Sequence, residues 1–181
     1  MYGLVHNGFR DLIKSEFGAH AWDKVLEVST LSESAFVAMQ SYPDETTYQI
    51  VGAALEVLDI SADQLMEKFG RHWVLETGPS AYGDLLDMAG DSLPELLDNL
   101  DDLHVHVANI MPHVQAPSFQ CSEITENSLK LDYYSSRQGL TPMVLGLVRG
   151  IGERFHTPCS VSVLSSEETG KGAHVVFDVH W

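Results

Sequence analysis

The chain has 181 residues, 44% of them hydrophobic and 20% charged, which is ample for one domain or two closely packed lobes around a real core. Its formal charge of −16, from 10 basic against 26 acidic residues, repels nucleic acid and anionic membrane surfaces. No apolar run approaches the roughly 20 residues of a membrane span, and the opening Met-Tyr-Gly-Leu-Val-His-Asn lacks the basic-then-apolar order of a secretory signal. Two cysteines, Cys121 and Cys159, are too few for a disulfide framework, so a reducing compartment, the cytoplasm, is expected.

Residues 1 to about 112 read mainly as helices. Val5, Phe9, Leu12, Ile13, Glu16 and Phe17 recur at helical spacing, Gly18 closes that segment, and a second helix covers Ala19 to Glu27. From Asp44 to Leu58 the expected apolar stripe is Tyr48, Val51, Leu55 and Leu58, with Asp44 or Thr46 as cap. Ser61-Ala-Asp-Gln opens another helix in capping-box style, followed along one face by Leu65, Phe69 and Trp73. Gly78-Pro79-Ser80 is expected to break the chain before a short helix over Tyr82 to Met88. One helix is then predicted to carry Leu93, Leu96, Leu97, Leu100, His104 and Val107, with Pro112 ending it.

The character then changes. Pro117 to Thr125 and Ser128 to Ser135 are two extended runs joined by Glu126-Asn127. Gly139 to Phe155 returns to helix, with Thr141 as N-cap, Pro142 at the first helical position, and Gly146 and Gly150 permitting a close approach. Strands over Pro158 to Ser165 and Ala173 to His180 flank the turn Glu167-Glu-Thr-Gly-Lys-Gly. A helical half followed by a sheet-containing half is an α+β architecture.

Two features carry chemistry. Tyr133, Ser135 and Arg137 alternate in an extended run, so period-2 spacing places a phenol, a hydroxyl and a guanidinium on one face. These are donors of the kind carboxylates and phosphates accept. Upstream, His104 follows Leu100 and Leu97 at i−4 and i−7, whereas His106 is turned about 200° away on the outer side. One axial imidazole and one polar cluster for propionates is what a protein needs to hold a haem. His156, Cys159 and Cys121 invite a zinc reading, but the His-x-x-Cys spacing has no second close ligand pair, and no such site is expected.

With Met-Tyr-Gly at 1–3, Thr-Tyr-Gln-Ile-Val-Gly-Ala at 47–53, Asn-Leu-Asp-Asp-Leu-His at 99–104 and Ala-Pro-Ser-Phe-Gln-Cys at 116–121, these residues make nearly the whole chain resemble the haem nitric oxide/oxygen-binding (H-NOX) family. The resemblance implies one H-NOX domain over 1–181, with a helical subdomain about 1–65 and a haem-clasping subdomain about 66–181. It also implies a four-stranded antiparallel sheet in the C-terminal half and haem b between the parts. His104 is then the proximal iron ligand, Tyr133, Ser135 and Arg137 hold the propionates, and Pro117 lies against the porphyrin. Val5, Phe9, Trp73, Met143 and Leu147 are the candidates for the distal side. Oxygen-binding members use a tyrosine on the helix after the triplet, and this chain has none from Gln138 to Arg154. An apolar pocket leaves the partial charge of bound oxygen unsolvated, so the expected ligands are nitric oxide and carbon monoxide, with oxygen excluded.

The resemblance further implies a sensor without catalysis of its own. Loss of the His104–iron bond would signal to a separate partner: a histidine kinase, a cyclic-di-GMP enzyme or a cyclase. The chain alone is expected to be a monomer. Two rivals stand beside this reading. A haem enzyme, such as a nitric oxide dioxygenase or peroxidase, needs a distal acid–base group, for which Arg71 and His72 beside Trp73 are the candidates. A haem-free interaction module would purify colourless.

Overall fold

The computed structural model describes residues 1–32, 36–111, 114–169 and 172–181. Pro112, expected to end the His104 helix, and Gly170-Lys171 of the expected turn lie outside the described residues. Helices α1 (Gly3–Phe17), α2 (Ala19–Ser29), α3 (Asp44–Leu58) and α4 (Ala62–His72) build the first half. Ser61 caps α4 as its sequence predicts: its hydroxyl accepts from the Gln64 N–H, and the Gln64 side chain accepts from the Ser61 N–H. Phe9, Leu12, Ile13, Trp22, Val25, Ile50, Leu65 and Phe69 form the core of this half.

On α3 the buried face is Thr47, Ile50, Ala53 and Ala54 rather than the expected Tyr48 stripe. Small residues on that face let α2 pack closely, and Tyr48 is left 62% exposed. Neither Asp44 nor Thr46 caps this helix. Pro43 holds the N-cap position without a side-chain bond, and Asp44, inside the first turn, is committed elsewhere. Beyond α4 the helix does not break at Gly78-Pro79-Ser80. It passes through a π-helical turn, Trp73–Thr77, into α5 (Gly78–Met88). The Gly78 N–H bonds to the Trp73 carbonyl five residues back, and the chain stays helical past Pro79. The irregularity falls instead at Tyr82, whose φ of −143° kinks α5 where the short helix was expected to start.

The single helix predicted across Leu93 to Val107 is two, α6 (Leu93–Asp98) and α7 (Leu100–Ile110). Asn99 separates them, its side chain donating to the Ala89 carbonyl at 2.9 Å. Strands β1 (Ser118–Ser122), β2 (Ser128–Ser135), β3 (Ser160–Thr169) and β4 (Gly172–His180) make one antiparallel sheet in the order β1-β2-β4-β3. Register pairs Phe119 with Tyr133 and Leu131 with Phe177. The alternate residues Phe119, Leu129, Leu131, Tyr133, Val175, Phe177 and Val179 are buried beneath α6 and α8 (Thr141–Arg154) in a second core. α8 starts one residue earlier than its signals imply, with Leu140 at the N-cap and Thr141 already helical. β3 runs past the expected Ser165 to Thr169 around a bulge at Leu164.

The two cores meet where α4 crosses α8. A Cβ on Gly146 would overlap the Glu67 carbonyl oxygen, and one on Gly70 would overlap that of Met143, so these glycines set the distance between backbones. Arg71–Glu153 and Arg149–Glu67 ion pairs flank the crossing.

Candidate functional site

A cavity of about 430 Å³ lies between the two cores. α1 supplies Val5 and Phe9, the π turn Trp73, α7 His104, β2 Tyr133, and α8 Met143 and Leu147; Pro117 and Arg137 reach it from flanking loops. Of the residues singled out in the sequence, Ser135 does not line it. The ladder of β2 ends at Ser135, whose hydroxyl accepts the Arg137 N–H at 3.0 Å and turns the chain, so the triplet is not one flat strand face. Ser135 thereby positions Arg137 without facing the cavity itself.

His104 sits one turn after Leu100, which shares the cavity wall. Its ring leans on Phe119 at 5.8 Å between centroids, and Phe119 leans on Tyr133 at 5.2 Å. Nδ1 is sealed from solvent without a hydrogen-bond partner among the described residues, and the ring stands in the cavity wall. Burial lowers the His104 pKa, against weaker opposing pulls from Asp101 and the Pro117 carbonyl. The neutral ring keeps a lone pair, which is the form that ligates a metal.

Arg137 stands at the rim. Its Nε donates to Asp44 Oδ2 at 3.0 Å and a terminal nitrogen donates to the Gln115 carbonyl at 3.0 Å. The other Asp44 oxygen accepts from the N-terminal ammonium of Met1 at 2.8 Å. These two cations hold the Asp44 carboxyl below the usual carboxylate range. The rim thus carries two cations bound to one carboxylate. That arrangement offers anionic substituents of a ligand an exchange of partners rather than a bare charge.

Four residues of the site escaped the sequence reading. Asp101 accepts from the Ser118 hydroxyl at 2.8 Å and the Phe119 N–H at 2.6 Å, tying the first turn of α7 to β1 beside Pro117. Its place three residues before His104, on the same helical side, was the available signal. Tyr2, Tyr48 and Tyr82 also line the cavity, and the Tyr82 hydroxyl donates to the Met111 sulfur at 3.2 Å. Their chain positions say nothing of a shared wall. Arg71 and His72, the acid–base candidates for a haem enzyme, face a separate cleft behind the π turn.

A neutral imidazole in an apolar wall, a proline beside it and cations at the rim fit a planar, largely apolar group with anionic edges, as haem is.

A family model described as haem-NO-binding matches residues 2–163. The chain is similar to soluble guanylate cyclase gcy-35 of Caenorhabditis elegans, 31% identical over 163 residues that cover 86% of this chain and 23% of that protein. Soluble guanylate cyclase gcy-37 of the same worm is 31% identical over 99% of this chain and 26% of its own length. The chain therefore spans about a quarter of the length of the curated relatives it matches. Among solved structures, an Fe(II) unliganded H-NOX protein mutant from K. algicida superposes with a TM-score of 0.83 at 27% identity, covering 100% of this chain and 97% of that one. An oxygen-binding H-NOX domain related to soluble guanylate cyclases, in its oxygen complex, gives 0.85 at 16% identity over 99% of this chain and 94% of that one.

Proposed function

Because the chain belongs to the haem-NO-binding family, we propose that it is a haem-based gas sensor holding haem b between its helical part, about residues 1–65, and a clasping part, about 66–181. The observation that carries this reading is His104: a half-buried imidazole, kept neutral by its desolvation, in the wall of an apolar cavity whose rim presents Arg137. Bound haem would supply a ferrous iron able to bind nitric oxide or carbon monoxide.

The residues of the chain do the rest. Arg137, with Tyr133 deeper in the wall, would hold the propionate edge, and Ser135 fixes the turn that presents Arg137. Pro117 would lie against the ring, and Val5, Phe9, Trp73, Met143 and Leu147, which line the cavity, would shape the gas pocket. α8 contributes only apolar side chains to that wall, among them Val144, Val148 and Ile151, so it offers bound oxygen no hydrogen bond. The expected exclusion of oxygen rests on this apolar face of α8. His104 acts as a tether, and α7 buries no residue of its own. Asp101 links the first turn of α7 to β1 through two hydrogen bonds. A ligand shifts the balance between tethered and released α7 only by its different affinity for the two.

This arrangement reports to a partner, a histidine kinase, a cyclic-di-GMP enzyme or a cyclase, in the cytoplasm, where the two free thiols Cys121 and Cys159 stay reduced. The chain itself is not catalytic. Arg71 and His72 lie outside the cavity, which weighs against a peroxidase or dioxygenase. Reconstitution of wild type and His104→Ala with haem tests the assignment. Wild type should take up one haem per chain with a high-spin ferrous spectrum that His104→Ala loses and imidazole restores. An unchanged spectrum in His104→Ala would remove the assignment.

A further inference from the structure

α7 buries none of its own residues. Its inner side, Leu100, Leu103, His104 and Val107, with Met111 just past its end, recurs at helical spacing and faces the cavity. The placement of the helix therefore depends on contacts at its two ends. Asp101 fixes the first turn, accepting from the Ser118 hydroxyl at 2.8 Å and the Phe119 N–H at 2.6 Å. The other end is met by Tyr82, whose phenol donates to the Met111 sulfur at 3.2 Å across 29 positions of chain.

A phenylalanine would fill the same apolar wall, so the Tyr82 hydroxyl matters only through its acceptor. Burial raises the pKa of this phenol and keeps it a protonated donor. Tyr82 is also where α5 departs from helical geometry, with φ −143° and ψ 31°. Met111 is 3% exposed and departs from it too, with φ −121° and ψ 82°. Its N–H donates to the Val107 carbonyl at 2.8 Å and closes α7, while its carbonyl accepts from the Val114 N–H at 3.0 Å. Just beyond, the Gln115 carbonyl accepts from Arg137 at 3.0 Å, and Pro117 stands in the cavity wall. Met111 is thus the corner at which the His104 helix passes into the rim. A thioether is a weak acceptor, whereas Asp101 offers a charged carboxylate to two donors. The two ends of α7 are unequal, and the Tyr82 end is the one that yields first.

We propose that Tyr82 is a positioning residue for His104: its hydrogen bond to Met111 latches the last turn of α7, which swings about its Asp101 end when the latch opens. The inference rests on the reading of α7 as the tethered helix of a gas sensor and names the contact that holds its far end.

The test uses NMR of the full 181-residue chain, reduced and under carbon monoxide so that any bound haem is diamagnetic. Wild type is compared with Tyr82→Phe, Met111→Leu and the double variant. Each substitution keeps the apolar volume nearly unchanged and removes one partner of the bond. Amide exchange at Asn109, Ile110 and residue 111 should quicken about fivefold in either single variant. Exchange at Leu103, whose N–H is bonded to the Asn99 carbonyl in the first turn, should stay as in wild type. The double variant should exchange no faster than either single one, because both remove the same bond. The His104 ring protons, which feel the Phe119 ring 5.8 Å away, should shift in both single variants. A role for Tyr82 confined to α5 would leave them unmoved. Unchanged exchange in the last turn, equal quickening at Leu103, additive effects in the double variant, or unmoved His104 ring signals would each overturn the proposal. None of these readouts depends on haem uptake, so failure here leaves the gas-sensor reading standing.

Discussion

His104 takes its position from its neighbours: Phe119 against the ring, Asp101 three residues back, and the Pro117 carbonyl close by. Asp101→Ala would strand the Phe119 N–H and Ser118 hydroxyl, a loss of about 1–3 kcal/mol of stability. It should also shift the iron–histidine stretching frequency of the reduced protein by resonance Raman while haem stays bound. An unchanged frequency would show that the clamp does not position His104. The same region shows what single residues disclose in a sequence. The cavity-facing place of His104 was legible from Leu100 at i−4 in the same helix, whereas Leu97 at i−7 lies in α6, beyond the break at Asn99. The Tyr133-Ser135-Arg137 face assumed that the strand continues. Alternation holds only while the ladder does, and the Ser135 hydroxyl captures the Arg137 N–H and ends it. The salt bridge from Arg137 to Asp44 spans 93 positions and has no local signature.

Among the elements, α4 and α8 fix how the two cores stand to one another. Gly146→Ala should cost about 1–3 kcal/mol, because the added methyl must push the Glu67 carbonyl away. Denaturant unfolding would show this as a lower midpoint, and an unchanged midpoint would mean that the crossing is looser than the backbone contact indicates. Ser61→Ala, which removes one bond of the capping box on α4, should cost about 1 kcal/mol by the same measurement. Both features were readable beforehand, since glycines four apart and a Ser-x-x-Gln start carry local chemistry. The α3 stripe was not. Tyr48 and Val51 line the cavity while Ile50, Ala53 and Ala54 form the core, so the apolar stripe faced a ligand space instead of the neighbouring helices. The π turn escaped as well, because no residue type encodes one extra residue in a helical turn.

For the molecule as a whole, a charge of −16 sits around two cores joined across one cavity. Within the helical core, His6 is fully buried against Thr47, with which it shares a 2.9 Å hydrogen bond; burial and the nearby N-terminal ammonium push its pKa down from 6.5 to about 4. The unfolded chain therefore takes up a proton that the folded chain refuses. Stability is complete above pH 6.5 and is lost as the pH falls toward 4, by about 2 kcal/mol at pH 5. His72 and His104, also lowered by burial, act in the same direction. Unfolding free energies at pH 7 and pH 5 should differ by at least that amount in wild type and by less in His6→Gln. Equal pH dependence in the two proteins would exclude His6 as a source.

The central claim is that the cavity between the cores holds a ferrous haem through His104 and takes nitric oxide while refusing oxygen. Its most direct test is the visible spectrum of the reduced, haem-reconstituted chain before and after air, carbon monoxide and nitric oxide. The account predicts a broad high-spin Soret band that air leaves unchanged and that both carbon monoxide and nitric oxide shift. A stable oxygen complex in air would contradict the selectivity and point to Trp73 or a cavity tyrosine as donor, and failure to take up haem would contradict the whole account.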